Sequence, residues 1–184
     1  MRPGSLAEAM TATGAFLAGA AAIGVFWMVG AYNRMVRLRT VLVARFAAVD
    51  SQHRQRQALI ETQREMLATV LVGAGPRLDA LGAACRQAAA AREKARVRPG
   101  AASAITSLRV AEDILVDARS RLPVQSAAGV DLPELNTRLA GSDTTLTFAR
   151  REFNDAVVAY NDAVGQFPTL LLARLFGFRA AATF

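Results

Sequence analysis

The sequence predicts an all-α protein in which an N-terminal transmembrane helix is continuous with a long-helix antiparallel four-helix bundle. Three observations predict this fold class. Residues 9–33 carry no charged side chain, the composition is 53% hydrophobic but only 7% aromatic, and apolar residues further along recur at alternating spacings of three and four. We expect three regions: an N-terminal segment and span over 1–33, the bundle over 34–168, and an apolar, basic tail over 169–184.

The predicted span centres on Gly14 to Ala31, a run that is almost purely apolar. About 20 helical residues cross a bilayer core of roughly 30 Å. A cleaved signal peptide carries its positive charge before the apolar run, whereas the basic cluster here follows it: Arg34, Arg37, Arg39 and Arg45. This order favours an uncleaved anchor over a signal peptide or a buried core helix. It also predicts a single-pass protein of the bacterial inner membrane, with its N-terminus outside and its bundle cytoplasmic.

The first two bundle helices follow the span directly. The first is expected to continue from Tyr32 to about Val72, where the segment from Gly73 to Pro76 ends it. Its apolar face comprises Leu38, Leu42, Phe46, Val49, Ile60, Leu67 and Val70. The second is expected over 76–97, before a turn at 98–100, with an inward face of Leu78, Leu81, Cys85 and Ala88 or Ala89.

The third and fourth helices complete the predicted bundle. The third covers 102–122, with Ile105, Leu108, Ala111, Leu115, Ala118 and Leu122 on one side, and a loop follows over 123–130. Asp131 is the expected N-cap of the fourth helix, since Glu134 stands three residues on and Pro133 lies in the first turn. This helix is expected to reach Phe167, with an inward face of Leu135, Leu139, Ser142, Leu146, Ala149, Phe153, Val157, Tyr160, Val164 and Phe167.

An even number of antiparallel helices should return the end of the chain to the membrane. Short connections make successive helices antiparallel, so the fourth helix should bring Phe167 back to the bilayer surface. The tail beyond it is either an interfacial amphipathic segment or a segment packed on the end of the bundle. The candidate membrane-surface residues are Arg34, Arg37, Arg39, Arg174, Phe176, Phe178 and Arg179.

Two files of polar side chains interrupt the apolar faces of the long helices. The first helix carries His53, Arg56 and Gln63, and the fourth carries Arg150, Asn154 and Asn161. Polar groups inside a bundle are costly unless paired, and they can set the register between helices. We expect the two files to form an interior polar network. A solvated stripe and a ligand or ion site are the alternatives.

The sequence offers no set of residues typical of a catalytic, cofactor or metal site. One His and one Cys cannot form a zinc site unaided, and a nucleophilic pair of Cys85 and His53 is only formally possible. The segment Gly73–Gly75 lacks the strand and the lysine of a phosphate loop. We therefore expect no enzyme and no cofactor.

Charge and small residues indicate the classes of partner. The net charge of +7 suits nucleic acid or an anionic membrane, and for a chain already at the membrane we expect lipid head groups rather than nucleic acid. Pairs of small residues four apart in the span, such as Gly19 after Ala15 and Gly24 after Ala20, permit a homo-oligomer. The expected function is a scaffold or adaptor that binds other membrane proteins. The alternative is an accessory or regulatory subunit of a membrane enzyme such as a protease.

Several short motifs, in order, resemble the LemA family of bacterial membrane proteins. They are Tyr32-Asn-Arg-Met-Val36, Arg56-Gln-Ala-Leu-Ile60, the run from Ala149 to Val157, Tyr160-Asn161, Phe167-Pro168 and Gly177-Phe178. Two departures mark a divergent member: Glu61 stands where the family usually has proline, and the Tyr-Pro expected before the last helix is absent around 121–123. The resemblance implies one N-terminal span and a long-helix bundle, and it implies no defined activity.

Overall fold

A computed structural model describes residues 4–71, 73–122 and 132–184, with side chains from residue 14 onward. Five helices lie in these ranges: α1 Gly4–Val70, α2 Gly75–Val97, α3 Ala102–Ser120, α4 Leu132–Gly165 and α5 Thr169–Leu175. The described chain contains no strand, so the predicted all-α class is confirmed. The expected loop over 123–130, the Asp131 cap and Val72 lie outside the described residues.

Helix α1 is a single element of 67 residues. Its apolar N-terminal part is the one stretch of the described chain that is long and apolar enough to cross a membrane, and none of that stretch is buried by the rest of the protein. Large apolar side chains such as Phe16 and Phe26 are therefore open to the surroundings. Exposed apolar surface of this extent is typical of contact with lipid.

The bundle is built from two helix pairs. Helix α1 packs along α4, α2 packs along α3, and α1 also contacts α2. Phe46 of α1 meets Phe153 of α4 edge to face, with 5.7 Å between the ring centroids. The fully buried side chains come from α1, α2, α3 and α4, and they include Leu42, Val49, Ile60, Leu67, Leu81, Ile105, Leu108, Leu115, Leu139 and Val157. These positions follow the three-four spacing of the sequence.

The helix ends depend on glycine where the backbone turns. Gly73 and Gly100 have φ angles of +85° and +84°, a region that side chains with a Cβ rarely adopt. Helix α4 stops at Gly165, at the same end of the bundle as the turn at Gly100. The expected inward position of Phe167 is therefore wrong, because this residue lies beyond the helix and is 81% exposed. Val70, in the last turn of α1, is also exposed.

The tail has two parts. Helix α5 leaves Leu171, Leu175 and Phe176 exposed, and Gly177, with a φ of +72°, follows it. Residues 178–184 are then irregular and run back along α4, since they meet Tyr160 first and Asn154 last. Of the two fates considered for the tail, packing on the bundle holds for this second part.

Candidate functional site

A buried carboxylate, Glu112, is the centre of the polar interior. It lies on α3 and is only 7% exposed. Its Oε2 accepts a hydrogen bond from Arg56 Nη1 at 2.8 Å, and its Oε1 is 3.1 Å from His53 Nδ1. Arg150 Nη2 of α4 is 4.0 Å from the same Oε2. One acid on α3 therefore joins cationic or titratable groups of α1 and α4.

Burial alone would raise the pKa of Glu112, because the charged form loses its hydration. The neighbouring His53, and the charges of Arg56 and Arg150, act in the opposite direction and prevail, so that the pKa of Glu112 is lower than its ordinary value. Burial likewise lowers the pKa of Arg150, and Glu112 partly offsets this effect. The geometry thus stabilises an ionised Glu112 inside the bundle.

Further hydrogen bonds extend this centre across α1 and α4. Arg56 Nε also donates to Asp143 of α4, and Arg150 Nη2 lies 3.5 Å from His53 Nε2. Of the six expected network residues, the structure brings together His53, Arg56 and Arg150. We call these three with Glu112 the charge cluster.

A second polar layer lies two turns further along α1. Gln63 is buried, accepts a hydrogen bond from Arg119 Nε of α3 at 3.0 Å, and donates to Asn136 Oδ1 of α4 at 3.3 Å. Ile60 lies between this layer and the charge cluster on α1, and Leu67 follows it. Alternation of polar and apolar layers makes the pairing of the three helices specific in register.

The remaining two network residues, Asn154 and Asn161, hold the tail instead. Asn161 donates from Nδ2 to the Ala181 carbonyl at 2.9 Å and accepts from the Ala181 amide at 2.8 Å. Asn154 Oδ1 accepts from the Phe184 amide at 2.9 Å. A side-chain amide can donate and accept at once, so it satisfies the backbone of an extended segment as a neighbouring strand would.

Phe184 covers the charge cluster. Its ring lies 5.5 Å from the ring of Phe153 and 6.3 Å from that of His53, between centroids. The guanidinium carbon of Arg150 stands 5.1 Å from the centre of the Phe184 ring, which is a cation–π geometry. The packed tail thus shields the buried ions from water.

Four of the seven candidate membrane-surface residues lie together where the tail begins: Arg39, Phe176, Phe178 and Arg179. Tyr32 of α1 contacts Phe176 and Phe178, with ring centroids 5.0 and 6.0 Å apart. Of the seven candidate membrane-surface residues, Phe178 is half-buried. The other six are exposed: Arg34, Arg37, Arg39, Arg174, Phe176 and Arg179. Side chains of α1, α5 and the tail therefore meet where the apolar part of α1 ends.

Sequence reasoning missed the acids that complete the interior. Glu112 lies four residues after Leu108 and three before Leu115. This spacing places it on the buried face of α3, so the sequence did contain a signal for it. Asp50 is also buried, and it joins α1 to α2 through Arg92 Nε at 3.3 Å. Asp143 stands at the same spacings between Leu139 and Leu146, but the spacing could not show that its partner is Arg56 of α1.

Metal binding and thiol reactivity both depend on how the interior side chains are placed. The described residues contain no group of three or more His, Cys, Asp and Glu placed to hold a metal ion. Cys85 is buried, and burial, together with the charge of Glu61, raises the pKa of its thiol. A thiol held in its protonated form is a poor nucleophile. What the arrangement can do is fix helix register and hold the tail.

Comparison with known proteins assigns the chain to a family. The sequence model of the LemA family matches residues 37–184, which is most of the chain and includes helices α2 to α5 and the tail. No curated protein matches the chain.

Proposed function

The chain belongs to the LemA family, and from this premise we propose that it is a membrane-anchored scaffold or adaptor without catalytic activity of its own. We place it in the bacterial inner membrane as a single-pass protein, with the N-terminus outside and the bundle in the cytoplasm. The arginines that follow the apolar run support this orientation. Anionic lipid, other membrane proteins and a second copy of the chain are the proposed partners.

The observation that carries the proposal is the continuity of α1. The same helix contains the apolar stretch and one full side of the bundle core. A helix rises 1.5 Å per residue, so residues 34–70 extend about 55 Å beyond the span. An unbroken helix transmits the position of the membrane to the bundle, and this property suits a protein that presents a binding surface at a set height.

The outer faces of the bundle provide apolar surface for such binding. Phe148 of α4 is 65% exposed, and Val110 and Ile114, one turn apart on α3, are also exposed. Exposed apolar side chains such as these are typical of protein contacts. Most of the buried charged groups, in contrast, pair with one another across α1, α3 and α4, which supports a structural use for them.

Photo-crosslinking in native membranes tests the scaffold role. A photoreactive phenylalanine analogue is placed at Phe148 or at Val110 in the full chain. The matched controls place it at Arg151 and Arg109, which are exposed neighbours on the same helices. We expect the same membrane protein to be captured from the apolar positions and not from the basic ones, and mass spectrometry identifies it.

The identity and activity of the captured protein distinguish the two functions considered. A partner whose enzymatic activity changes when the bundle is removed favours the accessory-subunit alternative. A partner without such a change favours the scaffold. Equal yields from apolar and basic positions, or no protein adduct at any position, would contradict both.

A further inference from the structure

A groove lined by arginines lies at the end of the bundle nearest the apolar stretch of α1. Its volume is ≈ 430 Å³ and its walls come from α1, the turn between α2 and α3, and the tail. Three arginines line it, one from each wall: Arg39, Arg98 and Arg179. No acidic side chain is among the lining residues. We call this the basic groove.

The three arginines lack counter-ions within the part of the chain that the structure describes. All three are exposed, and none forms an ion pair there. By contrast, nearby Arg45 of α1 is 3.4 Å from Glu152. Guanidinium groups around one groove repel each other, and their planar donors match phosphate oxygens. The basic groove is therefore suited to a phosphate-bearing ligand.

A second groove, which we call the aromatic groove, adjoins the basic groove on the membrane side. It also has a volume of ≈ 430 Å³, and its lining includes Tyr32, Val36, Phe176 and Phe178. The two grooves share Arg39, Val43 and Phe178 as lining residues. Because Tyr32 directly follows the apolar run, the aromatic groove opens nearer the bilayer than the basic groove does. The order from bilayer to cytoplasm is apolar first and cationic second.

The height of the basic groove matches the head-group layer. Arg39 is seven residues beyond Tyr32, or about 10 Å along the axis of α1. Side chains of an α-helix lean toward its N-terminus, which for α1 is the membrane side. The head-group region adds about 5–7 Å to each side of the hydrocarbon core. The remaining distance between the backbone of Arg39 and the head-group layer is within the length of an arginine side chain.

From these features we propose that the adjoining grooves bind one anionic phospholipid, with its phosphate among Arg39, Arg98 and Arg179 and part of an acyl chain along the aromatic groove. The order of charge and apolarity selects a lipid over a free phosphate ion, which would leave the aromatic groove empty. The inference rests on the proposed membrane location. It also assigns a role to the docked tail, because Phe178 and Arg179 belong to it.

Native mass spectrometry of the full chain, released from detergent after incubation with equal amounts of phosphatidylglycerol and phosphatidylcholine, tests the site. We expect one retained phosphatidylglycerol per chain. The triple variant Arg39→Gln/Arg98→Gln/Arg179→Gln should lower this retention at least tenfold. The control triple Arg77→Gln/Arg109→Gln/Arg138→Gln removes the same charge from exposed positions outside the groove and should retain the lipid.

Two further arms examine the lipid itself. Phe176→Ala should weaken retention of both lipids while leaving the preference for phosphatidylglycerol intact. Excess inorganic phosphate should displace little of the bound lipid. Complete displacement by phosphate would show that the groove takes the free ion and would overturn the lipid assignment.

Equal retention by the groove triple and the control triple would also overturn the inference. Each groove arginine is replaced singly as well, so that a triple variant with altered circular dichroism still leaves three folded proteins to compare. None of these outcomes decides the scaffold role, because crosslinking to a protein partner judges that role separately.

Discussion

Glu112 shows how a single residue organises the interior of the bundle. A carboxylate buried alone would be strongly destabilising, but two guanidinium groups and one imidazole surround this one. Removing one partner of a buried ion pair costs more than the pair itself contributes, because the other charge stays buried without compensation. The cluster is therefore a demanding constraint on which residue may occupy position 112.

Replacing the carboxylate by its neutral isostere should expose this constraint. Glu112→Gln leaves Arg56 and Arg150 without their shared counter-ion, and we expect it to lower the free energy of unfolding at neutral pH by about 3 kcal/mol or more. Chemical denaturation of the full chain in detergent, followed by circular dichroism, measures the change. Asp113→Asn, at the exposed neighbouring position, should cost less than about 0.5 kcal/mol. Similar losses for both variants would argue against the cluster.

Acid should remove the difference in unfolding free energy between the wild-type protein and the Glu112→Gln variant. The folded-state pKa of Glu112 lies below its ordinary value of 4.5, so its ionisation contributes stability in full above that value. This contribution is lost as the pH falls below 4.5 through the folded-state pKa. The two unfolding free energies should therefore converge in acid, and a gap that persisted at low pH would contradict the assignment.

At the scale of elements, the irregular tail over 178–184 packs on the bundle as part of it. It lies against α4 and against the turn before α3, where Ala182 donates to the Gly100 carbonyl at 2.8 Å. Side chains of α4 bond the Arg179 carbonyl, both backbone groups of Ala181 and the Phe184 amide. The turn and the two asparagines are the parts on which docking depends.

The turn at Gly100 should tolerate no side chain. A Cβ there would lie 2.8 Å from the Ala181 Cβ, and the positive φ adds strain. Gly73 has nearly the same φ but open space around it, so Gly73→Ala measures the strain alone, about 1–2 kcal/mol. We expect Gly100→Ala to cost at least about 1 kcal/mol more in unfolding free energy. Equal losses would mean that the tail does not pack on the turn.

The asparagine contacts should control the opening of the tail. Asn161→Ala removes both hydrogen bonds to Ala181, each worth about 0.5–1.5 kcal/mol. Hydrogen exchange of the amides of Ala181, Ala182 and Phe184 should accelerate about tenfold or more. Asp162→Ala, at an exposed adjacent position, serves as the control and should leave the exchange rates unchanged. Rates that stayed equal in both variants would exclude Asn161 as the anchor.

At the scale of the whole molecule, one helix contains both the apolar stretch and part of the core, and the segment after α5 comes back to the point where the apolar stretch ends. Tyr32 and Phe176 meet there although they are far apart in sequence. The residue that follows the apolar stretch of α1 is therefore packed against the segment that follows α5. An orientation assigned to the span applies to everything beyond it.

Thiol labelling checks the proposed orientation. Cys85 is buried and serves as an unreactive background. In intact spheroplasts, a membrane-impermeant maleimide should label Ser5→Cys, on the outer side, but not Ser103→Cys of α3. Permeabilisation should make Ser103→Cys reactive. The reverse pattern would invert the proposed topology.

The sequence alone determined the long helices and the turns near Gly73 and Gly100, and it predicts the span, because each depends on local properties of the chain. Apolar length defines the span, three-four spacing defines the buried faces of α1 and α4, and glycine with proline marks the ends. The main local error concerned Phe167, whose spacing continued a pattern after the helix itself had stopped at Gly165.

The tertiary structure alone decided which polar groups meet. Glu112 meets His53 and Arg56 because the fold turns these side chains of α3 and α1 toward each other across the core, and helical spacing within one element carries no such information. Asn154 and Asn161 bind an irregular tail that has no periodicity to read, and an amide side chain pairs as readily with backbone as with another side chain. Such contacts connect distant parts of the chain, so only the fold selects among them.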